Sequence, residues 1–145
     1  MIMTIKEAQD EIIADFELFG EDWDEKYSYI IDLGKKLPPM DAQYKIDDNL
    51  IKGCQSKVWM HPEYKDGRIF FTADSDATIT KGLVAMVIGI LSGHTPKEIT
   101  DAEIFFIDGI GLRSHLASTR ANGLLSMLKQ IKLYALAFQA KSLQP

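Results

Sequence analysis

The chain of 145 residues has one cysteine, Cys54. That scarcity excludes an internal disulfide, a Cys-x-x-Cys redox pair, a cysteine-rich structural zinc site and a self-contained iron–sulfur ligand set. Any sulfur chemistry here belongs to one thiol. Positive charge is also in deficit: sixteen Lys+Arg face twenty-one Asp+Glu, for a net charge of -5. This is the wrong sign for a surface that binds by neutralising phosphates, so nucleic acid is not an expected partner. Long apolar runs are missing too. The longest, Leu83 to Leu91, is about half of what a membrane span requires. The first twenty residues carry Glu7, Asp10, Glu11, Asp15 and Glu17, a composition foreign to secretory and transit peptides. Together these absences predict a cytoplasmic protein of a reducing compartment without membrane contact.

What is present is ordinary globular material, with 46% apolar and 26% charged side chains. One domain over residues 1–145 is expected, long enough to bury roughly two-thirds of its unfolded surface without a metal or disulfide staple. Charge is uneven along it. Residues 1 to 48 hold five basic and thirteen acidic side chains, a net of -8, and the remainder is at +3. Such a flank is a solvated helix surface or an electrostatic docking face.

Thr4-Ile5-Lys6-Glu7 is a capping box that predicts a helix with Ile5, Ala8, Ile12, Phe16 and Phe19 on one face and Gly20 as its stop. Asp22 caps a second helix, whose Trp23, Tyr27, Ile30, Ile31 and Gly34 share a face before Leu37-Pro38-Pro39 ends it. The period then changes. Leu50 to Lys52, Lys57 to His61 and Arg68 to Ala73 read as short strands, with Asp66-Gly67 as a hairpin turn between the last two. Ala77 to Leu91 is apolar nearly all round and predicts a central buried helix. Thr95-Pro96-Lys97-Glu98 is a second capping box that opens a short helix. Gly109 and Gly111 mark a loop, lacking the third glycine and preceding strand of a dinucleotide fingerprint. Ser118 or Thr119 starts a last helix with Leu124, Leu128, Ile131, Ala135 and Phe138 as its stripe. The sum is an α+β domain, a small antiparallel sheet of about three strands packed against several helices.

Cys54 lies between two strand-like pieces, in a turn where Gly53 frees the backbone and Gln55 and Ser56 bring hydrogen-bonding groups beside the sulfur. Lys52 and Lys57 would favour thiolate if close enough. The thiol is a small buried hydrophobe, a nucleophile paired with histidine in a hydrolase or transferase, or a sulfur acceptor that needs no base of its own. His61, His94 and His115 fall in no pattern typical of a catalytic partner. A purely structural adaptor is a further reading.

Three ordered motifs, Gly53-Cys54-Gln55-Ser56-x-Val58-Trp59, Asp74-Ser75-Asp76-Ala77 with Lys81-Gly82-Leu83, and Leu116-x-x-x-Arg120-x-x-Gly123-Leu124, resemble the successive signatures of SufE proteins, including the similar CsdE proteins. The segment Tyr27 to Pro38 shares in the likeness, which covers nearly the whole chain. The resemblance implies a fold similar to the scaffold protein IscU. It also implies a persulfide carrier rather than a turnover enzyme, in which Cys54 accepts sulfur from a SufS- or CsdA-type cysteine desulfurase and passes it to an iron–sulfur scaffold complex. Pyridoxal phosphate would belong to the desulfurase, leaving this chain with no cofactor and no metal. One thiol suits that task, since a second would resolve the persulfide to a disulfide. Asp76 either caps the buried helix or modulates the Cys54 loop. Arg120, a cation at a helix start, opposes the dipole there, so either a partner contact or structural bracing explains it. Trp59 is expected in the core.

Overall fold

A computed structural model describes residues 3–142. The chain opens on the helical hairpin its capping signals demand. Helix α1 (Ile5–Glu17) begins at Thr4, whose hydroxyl accepts the Glu7 N–H at 3.0 Å while the Glu7 carboxylate accepts the Thr4 N–H at 3.0 Å. Helix α2 (Trp23–Lys35) begins at Asp22, which accepts the Glu25 N–H at 3.2 Å. Capping side chains of this kind each contribute about 1 kcal/mol.

The sheet has two strands, β1 (Val58–Lys65) and β2 (Arg68–Ser75), paired antiparallel from Val58 opposite Ser75 to Lys65 opposite Arg68. Asp66 (φ 53°) and Gly67 (φ 78°) close the hairpin, both left-handed as a two-residue turn of this hand requires. The third expected strand, Leu50 to Lys52, is reduced to a single bridge from Leu50 to Trp59, because the chain turns away at Gly53. The strands run further than expected, through Pro62. The Ile51 N–H donates to the Val58 carbonyl at 2.8 Å, so Val58, and by period two Pro62, turn their backbone groups to the outer edge. A missing N–H costs nothing to the ladder there.

Alternation buries Val58, Met60, Ile69, Phe71 and Ala73. Trp59, expected in the core, is half-buried on the opposite face, where the Lys45 ammonium lies 5.7 Å from its ring. The same period that sends Val58 and Met60 inward sends Trp59 out.

Helix α3 (Thr78–Leu91) runs through the middle, packed against α1, α2, β2 and the last helix, and Leu83, Val84, Val87 and Leu91 are almost wholly buried. It crosses α2 at bare backbone: a Cβ on Gly82 would lie 2.1 Å from the Ile30 carbonyl oxygen. Helix α4 (Pro96–Asp101) starts at the expected capping box, with Pro96 in its first turn. The Gly109-Gly111 segment, expected to be a loop, is two short helices, α5 (Phe106–Ile110) and α6 (Leu112–His115), separated by the left-handed Gly111 at φ 88°. Gln9, fully buried on α1, supplies the cap that α5 lacks locally, its Oε1 accepting from the N–H groups of Phe105 and Phe106 at 2.8 and 3.1 Å. Helix α7 (Ser118–Ser142) closes the domain with Leu124, Met127, Ile131 and Ala135 inward. No helix among the described residues is long and apolar enough to cross a membrane.

Candidate functional site

Cys54 sits on the loop between the Leu50 bridge and β1. Gly53 turns the chain at φ 91°, an angle that demands glycine, and packs closely enough on α7 that a Cβ there would lie 2.5 Å from Ser126 Oγ and make that side chain turn aside. The turn brings Cys54 Sγ to 3.5 Å from the Gly123 carbonyl oxygen of α7, to which the thiol donates. The other end of the loop is tied to the sheet. Lys57 N–H donates to Asp76 Oδ1 at 3.0 Å, Asp76 N–H donates to the Lys57 carbonyl at 3.3 Å, and Ser75 Oγ donates to the same carbonyl at 2.8 Å. Asp76 therefore does not cap α3, whose first turn has no side-chain cap at all. Its carboxylate is spent on the loop instead.

A cavity of about 260 Å³ opens beside the thiol, lined by Cys54, Gln55 and Ser56 from the loop, Thr80 from α3, and Ala117, Thr119, Arg120, Gly123 and Met127 from the start of α7. Of the residues singled out in the sequence, Cys54, Gln55, Ser56 and Arg120 meet in this cavity, Gly53 adjoins it, and Asp76 acts on it from outside. Sequence reasoning misses Thr80. Thr80 shares its turn with Thr78 and Lys81, so no polarity signal singles it out in the sequence; only its burial does.

Arg120 is exposed in the first turn of α7, and its guanidinium has no ion pair or hydrogen bond among the described residues, so it braces nothing there. Burial pushes the Cys54 thiol up from its ordinary range. Lys52 and Lys57, both exposed, do not offset that burial, so the condition that they lie close enough to favour the thiolate is not met.

The histidines lie elsewhere. His61 stacks on Tyr44 with ring centres 4.0 Å apart, His115 stacks on Trp23 at 3.8 Å, and His94 is buried with Nδ1 3.7 Å from Glu98 Oε2. None of them, and no carboxylate, lines the Cys54 cavity. Beside the loop, Asp74 is held by Lys45 at 2.7 Å, Lys81 at 3.4 Å and the Ser75 N–H at 2.8 Å. Burial alone would raise its carboxyl pKa, but those hydrogen bonds and charges outweigh burial and lower it. Among the described residues, no three His, Cys, Asp or Glu side chains cluster as a metal would need.

An α+β domain that presents one half-buried thiol on a loop against its last helix is the class that fold and site define. Residues 10–135 match the family model of the SufE Fe–S metabolism associated domain. A SufE-like protein of Rhizobium meliloti, itself described as uncharacterized, is 44% identical over 128 residues, 85% of this chain and 91% of that protein. One from Synechocystis, also described as uncharacterized, is 40% identical over 114 residues, 79% and 72% of the two chains. The solution structure of a hypothetical protein from Thermus thermophilus shares the fold, with TM-score 0.73 at 16% identity over 90% of this chain and 94% of that one. The chain belongs to the SufE family, associated with iron–sulfur metabolism.

Proposed function

We propose that Cys54 is a sulfur acceptor for a pyridoxal-phosphate-dependent cysteine desulfurase of the SufS or CsdA type. The Cys54 thiolate attacks the outer sulfur of the partner's cysteine persulfide. A new S–S bond forms on Cys54, the partner's S–S bond breaks, and its cysteine leaves as thiolate, so charge is conserved and no oxidant enters. Carbon–sulfur cleavage and its cofactor stay on the partner. This chain is a carrier that stimulates the desulfurase by unloading it, needs no cofactor of its own, and passes sulfur on to an iron–sulfur scaffold complex in the cytoplasm.

One observation carries the reading: the thiol faces a cavity with room for a further sulfur atom whose walls hold no histidine and no carboxylate. Hydrolysis of a thioester or peptide needs a general base beside the thiol, whereas exchange at divalent sulfur does not. Family membership in iron–sulfur metabolism points the same way.

The test is to mix the protein with a cysteine desulfurase and L-cysteine and read its intact mass. A gain of one sulfur atom, absent in Cys54→Ser, is expected. The reading fails if no desulfurase loads the thiol, or if Cys54→Ser stimulates sulfide release as well as the wild type without added reductant.

A further inference from the structure

Thr80 is 6% exposed, sits in the first turn of α3 and forms part of the wall of the Cys54 cavity. Its hydroxyl forms no hydrogen bond with any described residue. The buried polar groups beside the loop differ from it: Ser75 donates to the Lys57 carbonyl, and Asp74 accepts from Lys45 and Ser75. Among the described residues the buried side-chain atom sealed away without a hydrogen bond is His94 Nδ1, so the Thr80 hydroxyl is not sealed and opens onto the cavity. A valine would fill the same space, so packing alone does not call for a hydroxyl at this point of the cavity wall.

The cavity offers that donor one anionic partner. Cys54 is the sole ionisable group in the wall apart from the exposed, cationic Arg120. The first turn of α3 is also uncapped by any side chain, so its free N–H groups put partial positive charge on the Thr80 side of the cavity.

We propose that the Thr80 hydroxyl donates a hydrogen bond to the sulfur anion of Cys54 within this cavity, holding the thiolate and, once sulfur has been accepted, the outer sulfur of the persulfide. The persulfide half rests on the sulfur-acceptor reading above; the thiolate half does not. Thr80 then sets the pH at which Cys54 becomes a nucleophile, against the burial that opposes ionisation.

The experiment measures alkylation of Cys54 by iodoacetamide as a function of pH in the wild type, Thr80→Val and Thr80→Ser. Thr80→Val keeps the shape and removes only the donor, and its thermal midpoint should equal or exceed that of the wild type. Its alkylation midpoint should lie higher by roughly half a unit to one unit, the size of one ordinary hydrogen bond. Thr80→Ser should return the midpoint to the wild-type value. The proposal is overturned if Thr80→Val titrates as the wild type does, or if Thr80→Ser titrates as Thr80→Val does. Because alkylation asks nothing of a desulfurase, failure to load sulfur would sink the acceptor reading while leaving this result standing.

Discussion

Asp76 and Lys57 are bonded twice. The Asp76 carboxylate accepts the Lys57 N–H at 3.0 Å, and the Asp76 N–H donates to the Lys57 carbonyl at 3.3 Å. Lys57 is the last residue before β1, three beyond Cys54, so this pair fixes the point from which the reactive loop departs. The loop is thus held at one end by the sheet and at the other by Gly53 and Cys54 against α7.

Removing the Asp76 carboxylate should loosen the first of those ties alone. Asp76→Ala is expected to lower stability by about 1 kcal/mol, one exposed side-chain hydrogen bond, while the strand pairing survives. Cys54 should then be alkylated several-fold faster at fixed pH. Unchanged alkylation in a folded variant would mean that contact with α7 alone seats the thiol.

The crossing of α2 and α3 makes opposite predictions at two glycines of one helix. At Gly82 a Cβ would run into the Ile30 carbonyl at 2.1 Å, backbone that cannot swing aside. Gly82→Ala should cost about 2–4 kcal/mol by forcing the helices apart. Gly89 is exposed and has nothing within 4 Å of a Cβ position, so Gly89→Ala should gain about 0.5–1 kcal/mol from helix propensity. Denaturant unfolding of the two variants measures both, and equal effects would contradict the crossing geometry.

These elements differ in how visibly the sequence announces them. Both capping boxes, the Asp22 cap and the Asp66-Gly67 turn act between residues close in the chain, so local chemistry decides them and they form as read. Gln9 caps a helix ninety-six residues away, and no local pattern marks a glutamine for that task. The Leu50 to Lys52 piece has strand-like residues, yet only Leu50 pairs, because the turn at Gly53 is claimed by the contact with Ser126. Asp76 stands where a helix cap belongs, and a competing N–H from across the loop takes its carboxylate. At the site, Cys54 with Gln55 and Ser56 is evident from a few adjacent residues, whereas the joining of that loop to Thr80 and Arg120 is tertiary. Resemblance to a family points to Arg120 in advance; nothing in the sequence points to Thr80.

Arg120 should be dispensable for the fold. With its guanidinium unpaired among the described residues, Arg120→Gln is expected to change stability by less than about 0.5 kcal/mol and to leave alkylation of Cys54 as in the wild type. Sulfur loading by a desulfurase should slow, since this is the cation at the cavity mouth that a partner would meet. Loading at the wild-type rate, read by intact mass over time, would assign it no part in the encounter.

Asp74 gives the protein a predictable acid dependence. Its carboxylate, buried at 8% exposure, joins Lys45 at 2.7 Å to Lys81 at 3.4 Å, and so clamps the segment before the Cys54 loop onto β2 and α3. The folded-state pKa lies below the ordinary value of 3.8, since the hydrogen bonds and positive charges outweigh burial. A carboxyl whose pKa falls on folding stabilises the native state above its unfolded value, and that contribution disappears as pH drops through the folded value. Asp74→Asn should therefore be less stable than the wild type at neutral pH, by about 1–2 kcal/mol because the two lysines it leaves are partly solvated. The gap should be constant from neutral pH down to about pH 5 and close in stronger acid, where the wild type has lost its charge as well. Urea unfolding at a series of pH values measures it, and a gap that persists undiminished in acid would show that the amide disturbs packing and that the carboxylate charge is not what holds the clamp.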